Sequence, residues 1–173
     1  MTAISTYKAK IASRYIPVDA EQIGLKIMES DYYLTSIKHD GFLTFLQIKS
    51  GEALLFDRDG DLIKLPAITK SIDFTKDDLT LAGELCFFKN GKSTNHRDLA
   101  SALADSKSDI RFAAFDVLEL KGQPVQLNPL EKAEWLSALL KSGKTVFAIE
   151  QKKYTSRKEI MECFKEQAAQ GAE

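Results

Sequence analysis

The sequence predicts an α+β protein whose β-sheets are largely antiparallel. Short apolar strands separated by tight turns fill the middle of the 173-residue chain, and helix patterns gather towards its end. Strands and helices do not alternate in the regular βαβ order that builds a parallel sheet. The length suits one domain or one large lobe of a bigger protein. We divide the chain into an N-terminal segment, 1–31, and a main domain, 32–173.

The N-terminal segment contains one predicted helix, Asp19–Ser30. Asp19 can cap its start, and Gln22 completes a capping-box pattern. Apolar residues that include Ile27 and Met28 would share one face of this helix.

Six strands are predicted at the start of the main domain, because short apolar runs end at turn residues. Asn90-Gly91 is a strong hairpin pattern, and Ser50-Gly51 also marks a turn. The predicted strands are Tyr32–Ile37, Phe42–Ile48, Ala53–Phe56, Leu62–Leu65, Leu79–Phe88 and Arg111–Leu120.

Two helices are predicted in the middle and later parts of the main domain. The segment Leu99–Ala104 suits a short helix. Leu130, Ala133 and Leu136 recur at helical spacing after Pro129, a residue that favours a helix start.

The last predicted elements are a strand, Thr145–Glu150, and a helix capped by Ser156 and Glu159. Gly171 resembles the residue that ends a helix. A further strand would be expected after this helix, but the sequence stops at Glu173. We therefore expect the fold to be incomplete at the C-terminus.

The composition bears on partners and compartment. The 24 basic and 25 acidic residues give a net charge of −1, so the chain as a whole offers no basic surface to a polyanion. Cys86 and Cys163 lie in apolar runs without metal-ligand spacing, and we interpret them as buried thiols of a reducing compartment. No segment resembles a signal peptide or a membrane span, so we predict a cytoplasmic protein without a membrane partner.

Lys38, in the segment Lys38-His39-Asp40-Gly41, is the strongest candidate for catalysis. It follows an apolar strand, and Asp40 and Gly41 tighten the turn behind it. A lysine becomes a nucleophile when burial or neighbouring cations lower its pKa, and a position at a strand end can supply partial burial. The alternative interpretation is an ordinary exposed lysine in a turn.

Three further residues are candidates for binding a nucleotide. Glu84 lies in an apolar strand after Gly83, which permits close backbone approach, and its carboxylate can bind a ribose hydroxyl or Mg²⁺. Phe115 lies beside small residues and can stack on a base, and Arg58 in a turn can hold a phosphate or ribose. The alternatives are a solvent-facing Glu84, a core Phe115 and an ordinary exposed Arg58.

Two polar segments are weaker candidates for a functional role. His96 could titrate near neutral pH, but the sequence indicates no partner for it. Lys152-Lys153-Tyr154, together with Arg157 and Lys158, is the best basic cluster, and it could contact a phosphate backbone or form the solvated start of a helix.

Taken in order, these residues resemble the adenylation domain of ATP-dependent DNA ligases. That family belongs to the covalent nucleotidyltransferases, with RNA ligases and mRNA capping enzymes. Lys38-His39-Asp40-Gly41 matches the KxDG motif that carries the nucleotidyl-lysine. The other matching segments are Asp57-Arg58-Asp59-Gly60, Ala82-Gly83-Glu84-Leu85 (similar to DGEL), 112–118 (the adenine-stacking strand), 122–136, and 168–173 (the approach to EGxxxK).

The resemblance implies the nucleotidyltransferase fold of DNA ligases and mRNA capping enzymes, which is ATP-grasp-like: two antiparallel sheets with flanking helices and the nucleotide between them. It implies that Lys38, with Asp40 beside it, attacks the α-phosphate of ATP in the presence of Mg²⁺ and forms lysyl-AMP. The AMP would pass to the 5′-phosphate of nicked DNA, and a 3′-hydroxyl would displace it. Such sealing serves DNA repair, replication and recombination.

The resemblance also implies roles for individual residues. Glu84 and Glu173 would be ligands of Mg²⁺. The implied nucleotide-binding residues are Ser36, Ile37, Arg58, Glu84, Phe115 and Glu173.

The sequence departs from the family pattern in several places. Leu43 stands where many DNA ligases carry arginine, and Ala82 replaces the usual aspartate before Gly83. The KxK motif and the OB-fold domain of these ligases would follow Glu173, so we expect this fragment to be inactive without that missing partner domain. The alternatives are an RNA ligase, or a catalytically silent nucleotide-fold module that only binds a partner.

Overall fold

The computed structural model describes residues 7, 22–73, 75–105, 107–141 and 143–169. This part of the chain divides into two compact units. The first unit contains His39–Ile149 together with Tyr7, and the second contains 22–38 and 150–169.

Strands dominate the first unit, and the second unit mixes two strands with helices. The strands are β1 Tyr33–Ser36, β2 Phe42–Lys49, β3 Glu52–Asp57, β4 Leu62–Ile63, β5 Leu79–Lys89, β6 Lys92–Ser93, β7 Asp109–Leu120, β8 Gln123–Pro124, β9 Val146–Ala148 and β10 Gln151–Tyr154. The helices are α1 Ile23–Lys26, α2 Pro66–Thr69, α3 His96–Ala102, α4 Pro129–Leu139 and α5 Arg157–Ala169.

The first unit is built on a sheet of eight strands in the order β4-β3-β2-β5-β7-β8, with β6 paired to β5 and β9 paired to β7. All of these pairs are antiparallel except β7 with β9, which is parallel. The second unit holds a separate antiparallel pair, β1 with β10. The predicted α+β class with largely antiparallel sheets is confirmed.

One face of the large sheet carries the main hydrophobic core. Its central side chains, including Leu46, Leu81 and Phe112, are fully buried. Helices α3 and α4 contribute Leu99 and Leu136 to the same core. Burial of this apolar area is the main force that holds these helices on the sheet, at about 25 cal/mol per Å².

Helices α3 and α4 of the first unit begin at side-chain caps. The Asn95 side chain accepts hydrogen bonds from the first turn of α3, so this helix starts before the predicted Leu99. Asn128 and Glu131 form a capping box at the start of α4, where Pro129 occupies the first turn as predicted.

Several predicted strands differ from the structure in their bounds, and some strands were not predicted. The strand predicted to end at Leu65 ends at Ile63, because Pro66 begins helix α2. The predicted strand Thr145–Glu150 is shorter, at Val146–Ala148. Strand β10 was not predicted, because Lys152-Lys153-Tyr154 was interpreted as a possible helix start.

The N-terminal helix prediction is wrong in its length. Within 22–30, the described part of this predicted helix, only Ile23–Lys26 is α-helical, and Asp19 lies outside the described residues. Glycine within the helix weakens it, and the Met28 carbonyl accepts a hydrogen bond from the Tyr33 hydroxyl at 2.8 Å. The Met28 side chain is 82% exposed and does not form the predicted apolar face.

The final helix begins as predicted. The Glu159 carboxylate accepts hydrogen bonds from the backbone N–H groups of Thr155 and Ser156, and the Ser156 hydroxyl accepts from the Glu159 N–H. The hydrogen bonds to the carboxylate, first that from the Thr155 N–H and then that from the Ser156 N–H, lower the pKa of Glu159. The predicted end of this helix at Gly171 lies outside the described residues.

Candidate active site

The face of the large sheet opposite the main core gathers side chains from four strands. Leu43 and Glu84 are cross-strand partners, Glu84 is paired with Ala113, and Ala113 is paired with Phe147. Paired residues point to the same side of a sheet, so these four side chains share one face. We call it the candidate face.

Phe115 also belongs to the candidate face. It packs against a small cluster and is partly exposed, so it is neither sealed in the core nor fully solvated. The cluster consists of Cys86, Phe88, Ala113 and Ile149. The structure therefore brings the predicted Glu84 and Phe115 onto one surface, and a partly exposed ring is suited to stacking.

Glu84 is held in place by the loop that contains the KxDG match. Its Oε1 atom accepts a hydrogen bond from the Gly41 backbone N–H at 3.2 Å. The glycine before it is required by space, because a Cβ on Gly83 would lie 2.5 Å from the ring of Phe112 and 2.6 Å from the Ala113 carbonyl oxygen. The close backbone approach predicted for Gly83 is confirmed.

Gly41 is required for a similar reason. A Cβ at this position would overlap the backbone carbonyl oxygen of Leu85 and approach the Glu84 side chain. The last residue of the KxDG match therefore lies directly against the strand that carries Glu84.

His39 lies on the same surface. Its Nδ1 atom is 3.1 Å from the Ser93 hydroxyl, and its ring centre lies 6.0 Å from Phe147 and 6.2 Å from Phe88. Burial lowers the pKa of the His39 imidazole. His39 is therefore a neutral packing group at neutral pH.

Asp40 contacts the start of helix α3. Its carboxylate oxygens lie 3.1 and 3.2 Å from Nδ1 of His96, and one of them accepts a hydrogen bond from the His96 backbone N–H at 3.3 Å. The sequence indicated no partner for His96, and this interpretation was wrong. The missed partner is 56 residues away in the chain, so no local pattern could reveal it.

Three predicted residues lie in the second unit. Ser36 ends β1, where it pairs with Gln151 of β10, and Ile37 and Lys38 follow the strand. The Lys38 side chain is exposed, so the partial burial predicted to activate it is not observed. Lys38 is joined by one peptide bond to His39, the first residue of the loop 39–41 in the first unit.

Arg58 occupies the turn between β3 and β4. Its side chain is 67% exposed, and its Nε atom lies 3.3 Å from Asp59. Asp57, Thr44 and Gly83 are level on three adjacent strands, so this turn lies at the same end of the sheet as Gly41. An exposed arginine there is free to reorient towards a phosphate, at the cost of a weak ion pair.

Asp116, the residue after Phe115 in strand β7, belongs to a cluster of polar side chains. Asp116 lies 2.8 Å from the Lys132 ammonium, and both side chains are about one-fifth exposed, at 21% and 20%. Tyr7 packs its ring edge against Phe45 at 5.9 Å. Burial, together with Asp116, raises the pKa of the Tyr7 phenol well above its usual value. The sequence indicated neither Tyr7 nor Lys132 as part of this site.

A cation also lies over the aromatic cluster. The Arg111 guanidinium is 4.3 Å from the centre of the Phe88 ring, and Asp109 holds it by hydrogen bonds at 2.8 and 2.5 Å. These bonds lower the pKa of Asp109.

The predicted basic cluster of the second unit is largely paired. Lys152 lies 4.0 Å from Glu150, and Arg157 lies 3.2 Å from Glu29. The Lys153 ammonium lies 5.3 Å from the centre of the Tyr32 ring. Residues 152–154 form a strand, so their interpretation as a helix start was wrong.

Two further features concern metals and membranes. Glu173 lies outside the described residues, and within them no group of three or more His, Cys, Asp or Glu side chains could hold a metal ion. No helix in the described ranges is long and apolar enough to cross a membrane.

The family follows from a match to almost the whole chain. The family model of the ATP dependent DNA ligase domain matches residues 15–173. The chain therefore belongs to the ATP-dependent DNA ligase domain family. No curated protein sequence matches the chain.

Solved structures show the same fold. A mycobacterial DNA ligase D complexed with ATP and MES is 16% identical, with a TM-score of 0.60 over 79% of this chain and 45% of that one. An ATP-dependent DNA ligase from bacteriophage T7, also in complex with ATP, is 15% identical, with a TM-score of 0.62 over 92% of this chain and 59% of that one. A Lig E DNA ligase, described as binding DNA with a minimal scaffold, is 22% identical, with a TM-score of 0.60 over 86% of this chain and 55% of that one. The chain thus spans about half the length of these structures.

Proposed function

We propose that this chain forms the adenylating part of an ATP-dependent DNA ligase. Membership of the family supports this function. The observation that carries it is the contact between two of the motifs: the Gly41 N–H of the KxDG match donates to Glu84, which shares a sheet face with Phe115.

In the proposed reaction Lys38 is the nucleophile. Its neutral ε-amine attacks the α-phosphorus of ATP, a phosphorus–nitrogen bond forms, and the bond to the β-phosphate oxygen breaks. The amine loses its proton to solvent, and pyrophosphate leaves. Lysine suits this step because a deprotonated amine is a good nucleophile, whereas arginine stays protonated at any ordinary pH.

The adenosine part of ATP would bind on the candidate face. Phe115 presents a partly exposed ring beside other aromatic side chains, which fits a stacked base. The Glu84 carboxylate, partly buried beside it, fits an acceptor for a ribose hydroxyl. Ser36, Ile37 and Arg58 remain in the proposed nucleotide-binding set.

Magnesium would bind mainly through the nucleotide. Mg²⁺ in such sites is usually held by one or two carboxylates together with substrate phosphates. The partly buried carboxylate of Glu84 fits this requirement, with Glu173 as a second proposed ligand. The ion would neutralise negative charge on the phosphates.

The proposed nucleic-acid partner is nicked DNA. The solved structure of the Lig E DNA ligase supports this substrate class by its description. The 5′-phosphate at the nick would take AMP from Lys38, and the adjacent 3′-hydroxyl would then displace AMP and close the nick.

This function is tested by following the α-phosphate and the γ-phosphate of ATP separately. The test uses the chain fused at its end to a segment that carries a KxK motif, whose positive charge would support phosphoryl transfer. With ATP labelled at the α-phosphate, we expect label to remain on the acid-denatured protein. Label in the γ-phosphate should leave with pyrophosphate. Nicked DNA should then discharge the protein-bound label, and nicked RNA serves as the comparison substrate. Retention of the γ-label, or no retention of the α-label, would contradict the proposal.

A further inference from the structure

Three successive residues after Lys38 each contact another part of the first unit, to which they themselves belong. His39 contacts Ser93 at 3.1 Å, Asp40 contacts His96, and Gly41 donates to Glu84 at 3.2 Å. We call these three contacts the brace.

The contact at Asp40 completes the start of helix α3. The Asn95 side chain accepts hydrogen bonds from the N–H groups of Arg97 and Asp98, and the N–H of His96 donates instead to Asp40. The first N–H groups of a helix have no partner within the helix, so each of these acceptors stabilises it. Asp40 therefore acts as a second cap.

Helix α3 is itself fixed to the main core. Leu99 is fully buried and Ala102 is 5% exposed, and both belong to the core cluster of the sheet. Asp40 is consequently tied, through the backbone and ring of His96, to an element that cannot shift without disturbing the core.

The ring contact contributes little to overall stability. The side chains of His96 and Asp40 are 54% and 40% exposed, and exposed ion pairs contribute about 0–1 kcal/mol. The effect expected from this contact is therefore local: it fixes where the carboxylate, and with it the loop backbone, points.

We propose that His96 is a positioning residue for the reaction of Lys38. By holding Asp40, it fixes the backbone two residues after the nucleophile and so restricts the orientation of the lysine. This inference rests on the proposed function of Lys38. In-line attack requires the amine within a fraction of an ångström of its productive position, and displacement by about 1 Å can cost about a hundredfold in rate.

The contact is tested first in the 173-residue chain, without any activity. His96→Leu removes the ring donor, and His96→Asn keeps a nitrogen donor near the position of Nδ1. We expect hydrogen exchange of the Gly41 amide to be about fivefold faster in His96→Leu and close to wild type in His96→Asn. Arg97→Ala, a change at the neighbouring exposed residue, should leave this rate unaltered. Unchanged exchange in a folded His96→Leu variant would overturn the inference.

The consequence for the reaction is tested in the chain extended into a KxK motif. At saturating ATP the rate of lysyl-AMP formation should fall about tenfold in His96→Leu and recover in His96→Asn. The ATP concentration for half-maximal rate should not change, because His96 is not part of the proposed nucleotide-binding set. A wild-type rate in His96→Leu would overturn this inference alone. Absence of any adduct in the wild-type protein would instead overturn the proposed function.

Discussion

Gly41 shows at the scale of one residue why the KxDG pattern ends in glycine in this chain. The backbone of strand β5 leaves no room for a side chain at this position, which is the reason for glycine. Its backbone N–H, which any residue except proline also has, donates to Glu84. The same residue thus packs the loop and orients an acid of the candidate face.

Gly41→Ala should destabilise the protein. The new methyl group would meet the Leu85 carbonyl oxygen, which is backbone and cannot move aside without disturbing the sheet. We expect a loss of about 1–3 kcal/mol in the free energy of unfolding, measured by urea denaturation. Gly24→Ala is the matched control. A Cβ there would meet only the end of Met161, at 3.9 Å, so we expect no loss or a small gain within helix α1. Equal effects of the two substitutions would contradict this account.

Phe115→Ala should weaken ATP binding by about 1–3 kcal/mol if its ring stacks on the base. Phe115→Leu separates stacking from packing, because leucine keeps apolar contact with the cluster around Phe88 but has no aromatic face. Isothermal titration with ATP should show both variants weakened. Wild-type affinity in the leucine variant would exclude stacking.

His39 makes stability depend on pH. Burial lowers its pKa in the folded state, so below about pH 6.5 the unfolded chain binds the proton more readily than the folded one. The stabilisation that the neutral His39 ring provides is therefore present above that pH and is lost as the pH falls. Thermal unfolding between pH 7.5 and 5.5 should show a smaller decrease for His39→Gln than for wild type. An identical decrease in both would show that His39 is not the group responsible.

At the scale of secondary structure, local patterns determine the starts of helices in this chain. The capping box of α4 and the caps of α5 are formed by residues within four positions of the helix start. The cap of α5 by Ser156 and Glu159 was predicted from sequence, whereas the start of α4 was predicted from Pro129 alone and its capping box was not. The start of α3 was predicted too late, because Asn95 was not recognised as a cap.

Asn128→Ala should cost about 1 kcal/mol, within a range of about 0.5–2 kcal/mol for lost N-caps. The Asn128 side chain accepts a hydrogen bond from the Glu131 N–H at 3.0 Å, and alanine leaves that donor without it. Denaturant unfolding would measure the loss, and Asn128→Ser or Asp should recover most of it. A loss below about 0.3 kcal/mol would show that solvent replaces the cap fully.

Long-range pairing explains what the sequence alone could not predict. Strand β10 contains two exposed lysines and has no apolar run, but it pairs with β1 more than a hundred residues earlier. The Asp40–His96 contact has the same character. In contrast, Glu84 and Phe115 could be singled out from sequence as candidate site residues. They lie in apolar strands, and the residues around them match motifs of the family.

At the scale of the whole molecule, the chain is a member of the ATP-dependent DNA ligase domain family with the fold of its solved relatives. The matched family covers residues 15–173, and the largely antiparallel sheets agree with the predicted class. The division between 1–31 and 32–173 stays a prediction, as do the cytoplasmic compartment and the role of Glu173.

The central claim is that Lys38 forms the covalent bond to AMP. The most direct measurement is peptide mapping by mass spectrometry, after ATP and Mg²⁺ have reacted with the chain extended into a KxK motif. We predict one adenylate on the peptide that contains Lys38, no adduct in Lys38→Arg, and a normal adduct in the control Lys49→Arg, which changes an exposed lysine at the end of β2. An adenylate on another residue, or an undiminished adduct in Lys38→Arg, would contradict the account.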